Sequence, residues 1–469
     1  MRIYNTLTKK VDDFAPLKGG IARVYSCGPT VYNNAHIGNL TAYIYSDILQ
    51  RALLLGGFKV QRVMNFTDID DKTIVAAQEK YPDLPAKESL KKLTRHFEKL
   101  FLEDMTEIGN DTKSLQFVRA SESITEIQNL IQNLVKFGVA YTADDGVYFN
   151  IAEYSKKRKY GQLSHVDAPA EAKARIDNDE YDKESARDFA LWKKQKTGEP
   201  AWDFEIDGQN MAGRPGWHIE CSAMSVRHLG QPFDIHTGGV DHIFPHHENE
   251  IAQSTAGSQP EVYARFFFHN EHLLVDGAKM SKSKNNFYTL ADIVKKSFSP
   301  LDFRMLILQS HYQTPSNFSW ENLTAAHNRL KAWRNLAELR WQVSDVEDDG
   351  QQDIVKRLLE SAKQALLDNL NTPETLKYID QSIDEVSKNM AGLDFAAVNM
   401  IFDFIDKYLG IKIYDHTPDI ADSIKELIVV RQVERANGNY GKSDEIREAL
   451  SAQGVEIKDV SNGVIWSRK

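Results

Sequence analysis

The strongest constraint on the fold is a succession of strand, loop, helix and strand near the amino terminus. Residues 21–27 carry β-branched and aromatic side chains in alternation and predict a strand, which a Gly-Pro-Thr turn ends. Residues 38–55 have a helical pattern, and residues 59–66 predict a second strand. This order is typical of a doubly wound α/β domain with a parallel sheet, in which ligands bind beyond the carboxyl ends of the strands. Cys27 and residues 65–68 fall at such ends.

Length and composition limit the class of protein. The chain has 469 residues, more than a single hydrophobic core usually supports, so we expect several domains. Apolar residues make up 42% and charged residues 26%, which is typical of a globular protein and excludes a disordered chain. No apolar run approaches the roughly 20 residues of a membrane span. The amino terminus has no apolar signal core, so we expect a cytoplasmic protein with no membrane partner.

The α/β domain is expected to cover residues 1–317. Residues 84–140 predict amphipathic helices, and a charged, loop-like stretch follows them. We interpret residues from about 110 to 190 as an insertion into the α/β core. Sequence typical of the core resumes near residue 189.

Two further regions follow the α/β domain. Residues 318–410 are rich in Leu and Ala at helical spacing and predict a helical bundle. Residues 411–469 predict helices at 421–437 and 443–453 and end in short β-like segments, which indicates a small α/β module. The net charge of −10 says little about a nucleic-acid partner, because a local basic surface can lie on an acidic body.

Four side chains form a candidate metal set. Cys27 follows the first strand, and Cys221 lies in a segment rich in Gly and His. His246 and Glu250 are four residues apart on a helix predicted to start near Pro245, so they share one face. Two thiolates, an imidazole and a carboxylate are a suitable zinc set. The spacing alone leaves open the alternative that both cysteines are buried apolar residues.

Two segments carry possible phosphate-binding chemistry. In residues 36–39, Gly38 would let the backbone approach a phosphate at a helix amino terminus, and His36 could donate to a phosphate oxygen. Residues 277–286 alternate small and cationic side chains and predict a mobile loop, whose Lys279 and Lys282 could hold a polyphosphate. Taken singly, each segment is more often an ordinary solvated loop.

Together, these two segments resemble the signatures of class I aminoacyl-tRNA synthetases. Four longer segments, residues 27–32, 65–72, 213–222 and 244–250, are similar to the cysteinyl-tRNA synthetase family, and the resemblance runs from residue 3 to the end of the chain. It implies a Rossmann-like catalytic domain and an anticodon-binding module at residues 411–469. It also implies ATP-dependent attachment of cysteine to its tRNA through a cysteinyl adenylate.

The resemblance also implies roles for particular residues. One Zn²⁺ would be held by Cys27, Cys221, His246 and Glu250 and would recognise the cysteine thiolate. The expected substrate contacts are Gly28, Thr67 and Trp217. The expected catalytic residues are His36, Asn39, Lys279 and Lys282, of which His36 and Lys282 would contact ATP, itself bound with Mg²⁺. The class I pattern usually ends in a second histidine where this chain has Asn39, which can still donate a hydrogen bond but carries no charge.

The expected partners are the tRNA for cysteine, ATP and L-cysteine, and the expected state is a monomer. One alternative is a tRNA-independent ligase that joins activated cysteine to a small amine, as in mycothiol synthesis. Such a ligase has no use for the module at residues 411–469. A second alternative is a non-catalytic relative that binds tRNA or cysteine, which predicts damaged signatures, whereas both signature lysines and all four candidate ligands are present.

Overall fold

The structure is a computed structural model that describes residues 1–164, 188–257, 260–280, 286–348, 350–390, 392–460 and 463–469. Lys282 and part of the predicted insertion therefore lie outside the described residues. The chain divides into two compact units. The first comprises Met1–Pro300, Ser310–Phe318 and Leu367–Leu370, and the second comprises Leu301–Gln309, Ser319–Leu366 and Asn371–Lys469.

The described residues form strands and helices throughout both units. The strands β1 to β20, in chain order, are Arg2–Asn5, Lys10–Asp13, Ile21–Ser26, Lys59–Phe66, Leu115–Arg119, Ala140–Ala143, Gly146–Phe149, Phe189–Lys194, Glu205–Ile206, Gln209–Asn210, Gly213–Pro215, Phe233–Gly239, Ala264–Asn270, Leu273–Val275, Ala278–Lys279, Ser316–Phe318, Ser344–Asp345, Gly392–Leu393, Val455–Val460 and Gly463–Arg468. The helices α1 to α15 are Ile37–Leu55, Asp71–Lys80, Ala86–Glu107, Ile124–Lys136, Ile151–Ser155, Trp217–Leu229, Glu248–Thr255, Leu290–Lys295, Pro300–Leu308, Trp320–Glu338, Gln351–Leu367, Thr372–Val386, Phe395–Phe404, Asp422–Ala436 and Tyr440–Ala452.

A five-stranded parallel sheet forms the centre of the first unit. Its order is β13-β12-β3-β4-β5, so the chain starts in the middle at β3, moves outward to β4 and β5, and later returns on the other side at β12. Such a reversal of strand order opens a crevice at the carboxyl ends of the two strands that flank it, here β3 and β12. The predicted doubly wound parallel sheet is confirmed.

Helix α1 connects β3 to β4 and begins at a reciprocal cap. His36 Nδ1 accepts a hydrogen bond from the Asn39 amide at 3.2 Å, and Asn39 Oδ1 accepts one from the His36 amide at 3.4 Å. The cap satisfies backbone donors that the first helical turn leaves unpaired. The predicted strand, helix and strand of residues 21–66 are confirmed to within one residue at each end.

The region predicted to form amphipathic helices differs in part from the expectation. Residues 84–140 contain α3 and α4 as predicted, but β5 lies between them and is an edge strand of the central sheet. The purely helical prediction is therefore wrong there, because five residues between two amphipathic helices are too few to show a strand period.

The chain leaves the central sheet after β5 and rejoins it at β12. Between these strands, β11, β8, β7 and β6 form a separate antiparallel sheet in that order. The core-like segment predicted near residue 189 is β8 of this second sheet. Its first five residues are buried, which explains why its composition resembles that of a central strand.

The second unit is mostly helical. Helices α10 to α13 each bury an apolar face, as the Leu- and Ala-rich pattern predicts. After them, α14 and α15 pack with the hairpin β19–β20 around Ile428, Leu450, Val455 and Trp466. The predicted helices and β-like end of residues 411–469 are confirmed, while the domain boundaries at 317 and 410 stay predictions. No helix in the described part of the chain is long and apolar enough to cross a membrane.

Candidate functional site

The carboxyl ends of β3 and β4 bring several predicted site residues together. The Cys27 amide donates to the Thr237 carbonyl of β12 at 3.2 Å, and the Gly28 amide donates to Asn65 Oδ1 at 2.8 Å. Asn65 Nδ2 in turn donates to Thr67 Oγ1 at 3.1 Å. A chain of hydrogen bonds therefore fixes Gly28 and Thr67, two of the predicted substrate contacts, beside the first candidate metal ligand.

The four predicted metal ligands meet in one buried cluster. Cys27 Sγ lies 4.0 Å from Cys221 Sγ of helix α6 and 3.8 Å from Glu250 Oε1. His246 Nε2 lies 3.1 Å from the same oxygen of Glu250. All four side chains are buried, and their donor atoms lie within 4.8 Å of one another. Cys27 and Cys221, which are 194 residues apart in the sequence, are thus neighbours in the structure, as the candidate set requires.

The helical segment that carries His246 and Glu250 follows a kink at Phe244, in agreement with the predicted start near Pro245. His246 lies in the wide helical turn Ile243–His247, whose residues after Phe244 lead directly into α7 at Glu248. Phe244 has extended backbone angles and directly precedes Pro245, so it separates Ile243 from the helical residues that follow. The four-residue spacing still brings His246 onto Glu250.

The second oxygen of Glu250 is held by two side chains that the sequence did not single out. Glu250 Oε2 accepts from Tyr263 Oη at 2.7 Å and lies 2.9 Å from His236 Nε2. His236 Nδ1 is buried with no hydrogen-bond partner among the described residues, so the tautomer that donates from Nε2 fits this contact. Glu250 therefore presents Oε1 alone to the cysteines and His246.

A second histidine, His247, contacts the cluster at Cys27. His247 Nε2 lies 3.3 Å from Cys27 Sγ, and His247 Nδ1 lies 2.8 Å from His269 Nε2. His269 Nδ1 lies 2.8 Å from Thr6 Oγ1. One arrangement of protons satisfies all three contacts: Thr6 donates to His269, His269 donates to His247, and His247 donates to the Cys27 sulfur. Cys27, His236, His247 and Glu250 also have donor atoms within 4.8 Å of one another, so two overlapping sets share Cys27 and Glu250.

The electrostatics of the cluster favour a bound cation. Burial raises the pKa of the Cys27 thiol well above its ordinary value, and the nearby Cys221 and Glu250 raise it further. Burial lowers the pKa of His246 and of His247, so both imidazoles are neutral and can act as ligands. A divalent ion would offset the charge of deprotonated thiols in this buried place. The donor set therefore fits a metal ion.

Glu248, next to the cluster, fixes a loop by its carboxylate. The carboxylate oxygens accept from four consecutive backbone amides, those of residues 161–164, at 2.9, 3.2, 2.9 and 2.8 Å. The side chain is buried, and Tyr160 Oη donates to the neighbouring Asn249 at 2.6 Å. The carboxylate of Glu248 is therefore a structural acceptor.

A cavity of about 510 Å³ adjoins the metal cluster. Its walls include Cys27, His36, Gly38, Asn39 and Lys279. One metal-ligand candidate and residues of both phosphate-binding segments therefore face the same space. Thr67 and Trp217 are not among the described residues that line it, and Trp217 instead stacks on His246 with ring centroids 4.3 Å apart.

Residues 36–38 contact the segment 277–286 at Met280 and also contact the two residues that follow that segment. The Ile37 amide donates to the Tyr288 carbonyl at 2.9 Å, and the His36 ring packs edge-on against Phe287 at 4.9 Å. A Cβ added to Gly38 would lie 2.3 Å from the Met280 methyl group, so the absence of a side chain at Gly38 allows this approach. Lys279 lies in the described part of the loop, whereas Lys282 lies outside it.

His236, His269 and Tyr263 were not predicted from the sequence, because they lie on other elements than the predicted ligands. His236 is on β12, His269 is on β13, and Tyr263 precedes β13. A usable signal was present for His236, since a histidine inside a buried strand, two residues before a Gly-Gly pair, indicates a site near the edge where ligands bind.

Known proteins are similar to this chain over its whole length. The family model "tRNA synthetases class I (C) catalytic domain" matches residues 13–328. A "Cysteine--tRNA ligase" of Leptospira interrogans (serogroup Icterohaemorrhagiae, serovar copenhageni, strain Fiocruz L1-130) is 37% identical over 488 residues, covering 100% of this chain and 99% of the relative. A protein of the same name from Thermococcus onnurineus (strain NA1) is 37% identical over 491 residues, with coverage of 100% and 99%.

Solved structures are similar in fold. A Mycobacterium tuberculosis methionyl-tRNA synthetase in complex with methionyl-adenylate has a TM-score of 0.59 at 14% identity, covering 86% of this chain and 94% of that one. The ternary complex of Agrobacterium radiobacter K84 agnB2 LeuRS-tRNA-LeuAMS has a TM-score of 0.61 at 11% identity, covering 87% and 86%. With its parallel sheet, its full-length relatives and its matching catalytic-domain model, the chain belongs to the cysteine--tRNA ligase family of class I aminoacyl-tRNA synthetases.

Proposed function

We propose that this chain activates L-cysteine with Mg·ATP and transfers the cysteinyl group to the tRNA for cysteine. The observation that carries the proposal is the position of Cys27. It is a member of the buried donor cluster and also a wall residue of the 510 Å³ cavity. A thiol substrate whose sulfur reaches the cluster would therefore have the rest of the molecule in the space that both phosphate-binding segments face.

The activation step needs positioning and charge stabilisation more than covalent help from the protein. The cysteine carboxylate attacks the α-phosphate of ATP, and pyrophosphate leaves. His36 Nδ1 accepts from the Asn39 amide, so its proton is on Nε2, which can donate to the α-phosphate. Asn39 Oδ1 is committed to the His36 amide, so Nδ2 is the donor that Asn39 offers. Lys279 and Lys282 would hold the departing pyrophosphate.

Selection of cysteine over serine is the difficult part of the task. A pocket that relies on shape rejects such a near isostere only by about a hundredfold. We propose that Cys27, Cys221, His246 and Glu250 hold one Zn²⁺. A zinc ion there would supply a Lewis acid that favours a thiolate strongly over a neutral hydroxyl. Glu250 would contact the ion through Oε1 alone, and it is our candidate for the ligand that would loosen to admit a substrate sulfur.

The test is ATP–pyrophosphate exchange with cysteine and with serine, followed by aminoacylation of tRNA. We expect exchange that depends on cysteine, with a preference over serine well above about a hundredfold, the limit set by shape. Removing the metal with a chelator should abolish exchange, and adding zinc should restore it. A cysteine preference that survives complete metal removal would contradict the zinc proposal, and exchange without any charging of tRNA would contradict the tRNA proposal.

The tRNA-independent ligase is the remaining alternative. Relatives named cysteine--tRNA ligase align with this chain over its whole length, including residues 411–469. This supports the proposal that the carboxyl-terminal helices and hairpin form an anticodon-binding module. Thr67 and Trp217 stay proposed contacts of the amino acid, and the monomeric state and the cytoplasmic location stay predictions.

Replacing Tyr263 with phenylalanine should weaken zinc binding without removing any ligand. The hydroxyl of Tyr263 holds Glu250 Oε2 at 2.7 Å, and loss of a hydrogen bond behind a ligand typically lowers metal affinity by about 10- to 100-fold. Competition with a chromophoric chelator measures the change. Tyr154→Phe is the matched control, because Tyr154 is equally buried and its hydroxyl contacts Thr255 instead, at 2.8 Å. Equal zinc affinities in both variants would refute the role of Tyr263.

A further inference from the structure

Lys279 is connected to Asp241 through a single histidine. Lys279 Nζ lies 3.2 Å from His272 Nε2, and His272 Nδ1 lies 3.3 Å from Asp241 Oδ2. An ammonium group only donates hydrogen bonds, so Nε2 must be the acceptor and the proton of the neutral ring must be on Nδ1. That proton faces the Asp241 carboxylate. One tautomer of His272 therefore satisfies both contacts.

The backbone explains why these side chains meet. Lys279 is on β15 and pairs across the β14–β15 hairpin with Leu274, so residue 272, two positions before Leu274, lies diagonally on the same face. Diagonal neighbours on a hairpin are within reach of long side chains. Asp241 is in the turn Val240–His242 that follows β12. All three side chains line the 510 Å³ cavity together with His36 and Asn39.

The histidine between Lys279 and Asp241 orients the lysine without offsetting its charge. A direct ion pair with Asp241 would orient the ammonium but would also offset much of its charge. A neutral imidazole acceptor orients the ammonium and leaves its charge available to an incoming anion. Lys279 is otherwise exposed, and its contact with His272 restricts its side-chain rotamers. Phosphate binding then costs less side-chain entropy.

We propose that His272, oriented by Asp241, is a positioning residue that holds the Lys279 ammonium in the cavity for the polyphosphate of ATP. The proposal rests on the proposed function, because it takes Lys279 to contact the phosphates. It assigns His272 no contact with the reacting atoms. Its effect on activation passes entirely through Lys279.

The test is a double-mutant cycle of His272→Leu and Lys279→Ala in the full-length, zinc-loaded protein, read by ATP–pyrophosphate exchange at saturating cysteine. His272→Leu should lower kcat/KM for ATP by roughly tenfold and leave KM for cysteine, zinc content and the unfolding midpoint unchanged. In the Lys279→Ala background it should have no further effect. His272→Gln, whose Oε1 is an acceptor at about the distance of the imidazole Nε2, should recover most of the loss.

Two results would overturn the proposal. If the effects of the two substitutions multiply, His272 acts independently of Lys279, for example by touching a phosphate itself. If His272→Gln is as defective as His272→Leu, an acceptor for the lysine is not what His272 supplies. A wild-type protein that fails to exchange with cysteine would instead refute the proposed function, so the two failures are distinguishable.

Discussion

Replacing Cys221 with serine should remove the bound zinc and most of the cysteine activation. Cys221 is buried in the cluster but is not among the described wall residues of the cavity, so its loss affects the donor set and leaves the ATP side intact. A neutral hydroxyl is a poor zinc ligand in place of a thiolate. Loss of a direct ligand should exceed the roughly 100-fold upper effect of changing a residue behind one.

The measurements are metal analysis of the purified protein and exchange rates with cysteine and serine. Zinc content should fall well below one per chain, and the preference for cysteine should fall to about a hundredfold or less, which shape alone can supply. Ala223→Ser on the same helix is the control, since it introduces the same hydroxyl at a buried position outside the cluster. Full zinc content together with an unchanged preference in Cys221→Ser would contradict the proposed site.

Replacing Gly28 with alanine should damage both the fold and the site. A Cβ at this position would lie 1.7 Å from the Asn65 carbonyl oxygen, which is backbone of the neighbouring strand β4 and cannot turn away as a flexible side chain can. Strand ends must separate to admit the methyl group, and this moves Cys27. We expect a loss of stability of roughly 3 kcal/mol or more, at or beyond the usual range for an overpacked core.

The urea midpoint of the transition that reports on the first unit measures this loss, and exchange activity measures the damage to the site. Gly239→Ala is the matched control for stability, because a Cβ there meets nothing within 4 Å and the position lies on strand β12 of the same unit. That control should be neutral or stabilising by about 0.5 to 1 kcal/mol. A wild-type midpoint for Gly28→Ala would show that β4 can move aside, contrary to this expectation.

The sequence predicted well those features that repeat along the chain. The period of β3, α1 and β4 is visible in residues 21–66, and the predicted bounds are correct to one residue. The cluster of Cys27, Cys221, His246 and Glu250 was also predicted, because each ligand lies in a segment with a distinctive motif. The resemblance to a family supplied what spacing alone left open.

The features that were not predicted from the sequence depend on which distant segments become neighbours in the fold, and no local sequence pattern indicates this. His236 and Tyr263 approach Glu250 from a strand and from a loop, and only the order of strands in the sheet places them there. The link from His272 to Lys279 depends on a hairpin register that two-residue strands barely signal. Strand β5 was missed for a similar reason, since its pairing with β4 decides its conformation more than its own five residues do.

The carboxylate of Glu248 has a consequence for how the first unit can be observed. Four successive amides of an irregular loop, residues 161–164, are bonded to one side chain at the start of α7, beside the candidate metal ligands. Those amides exchange with deuterium only when their hydrogen bonds to the Glu248 carboxylate break. Their protection against exchange therefore measures the local stability of α7. Isotope labelling of four loop amides thereby measures the order of a helix deep inside the protein.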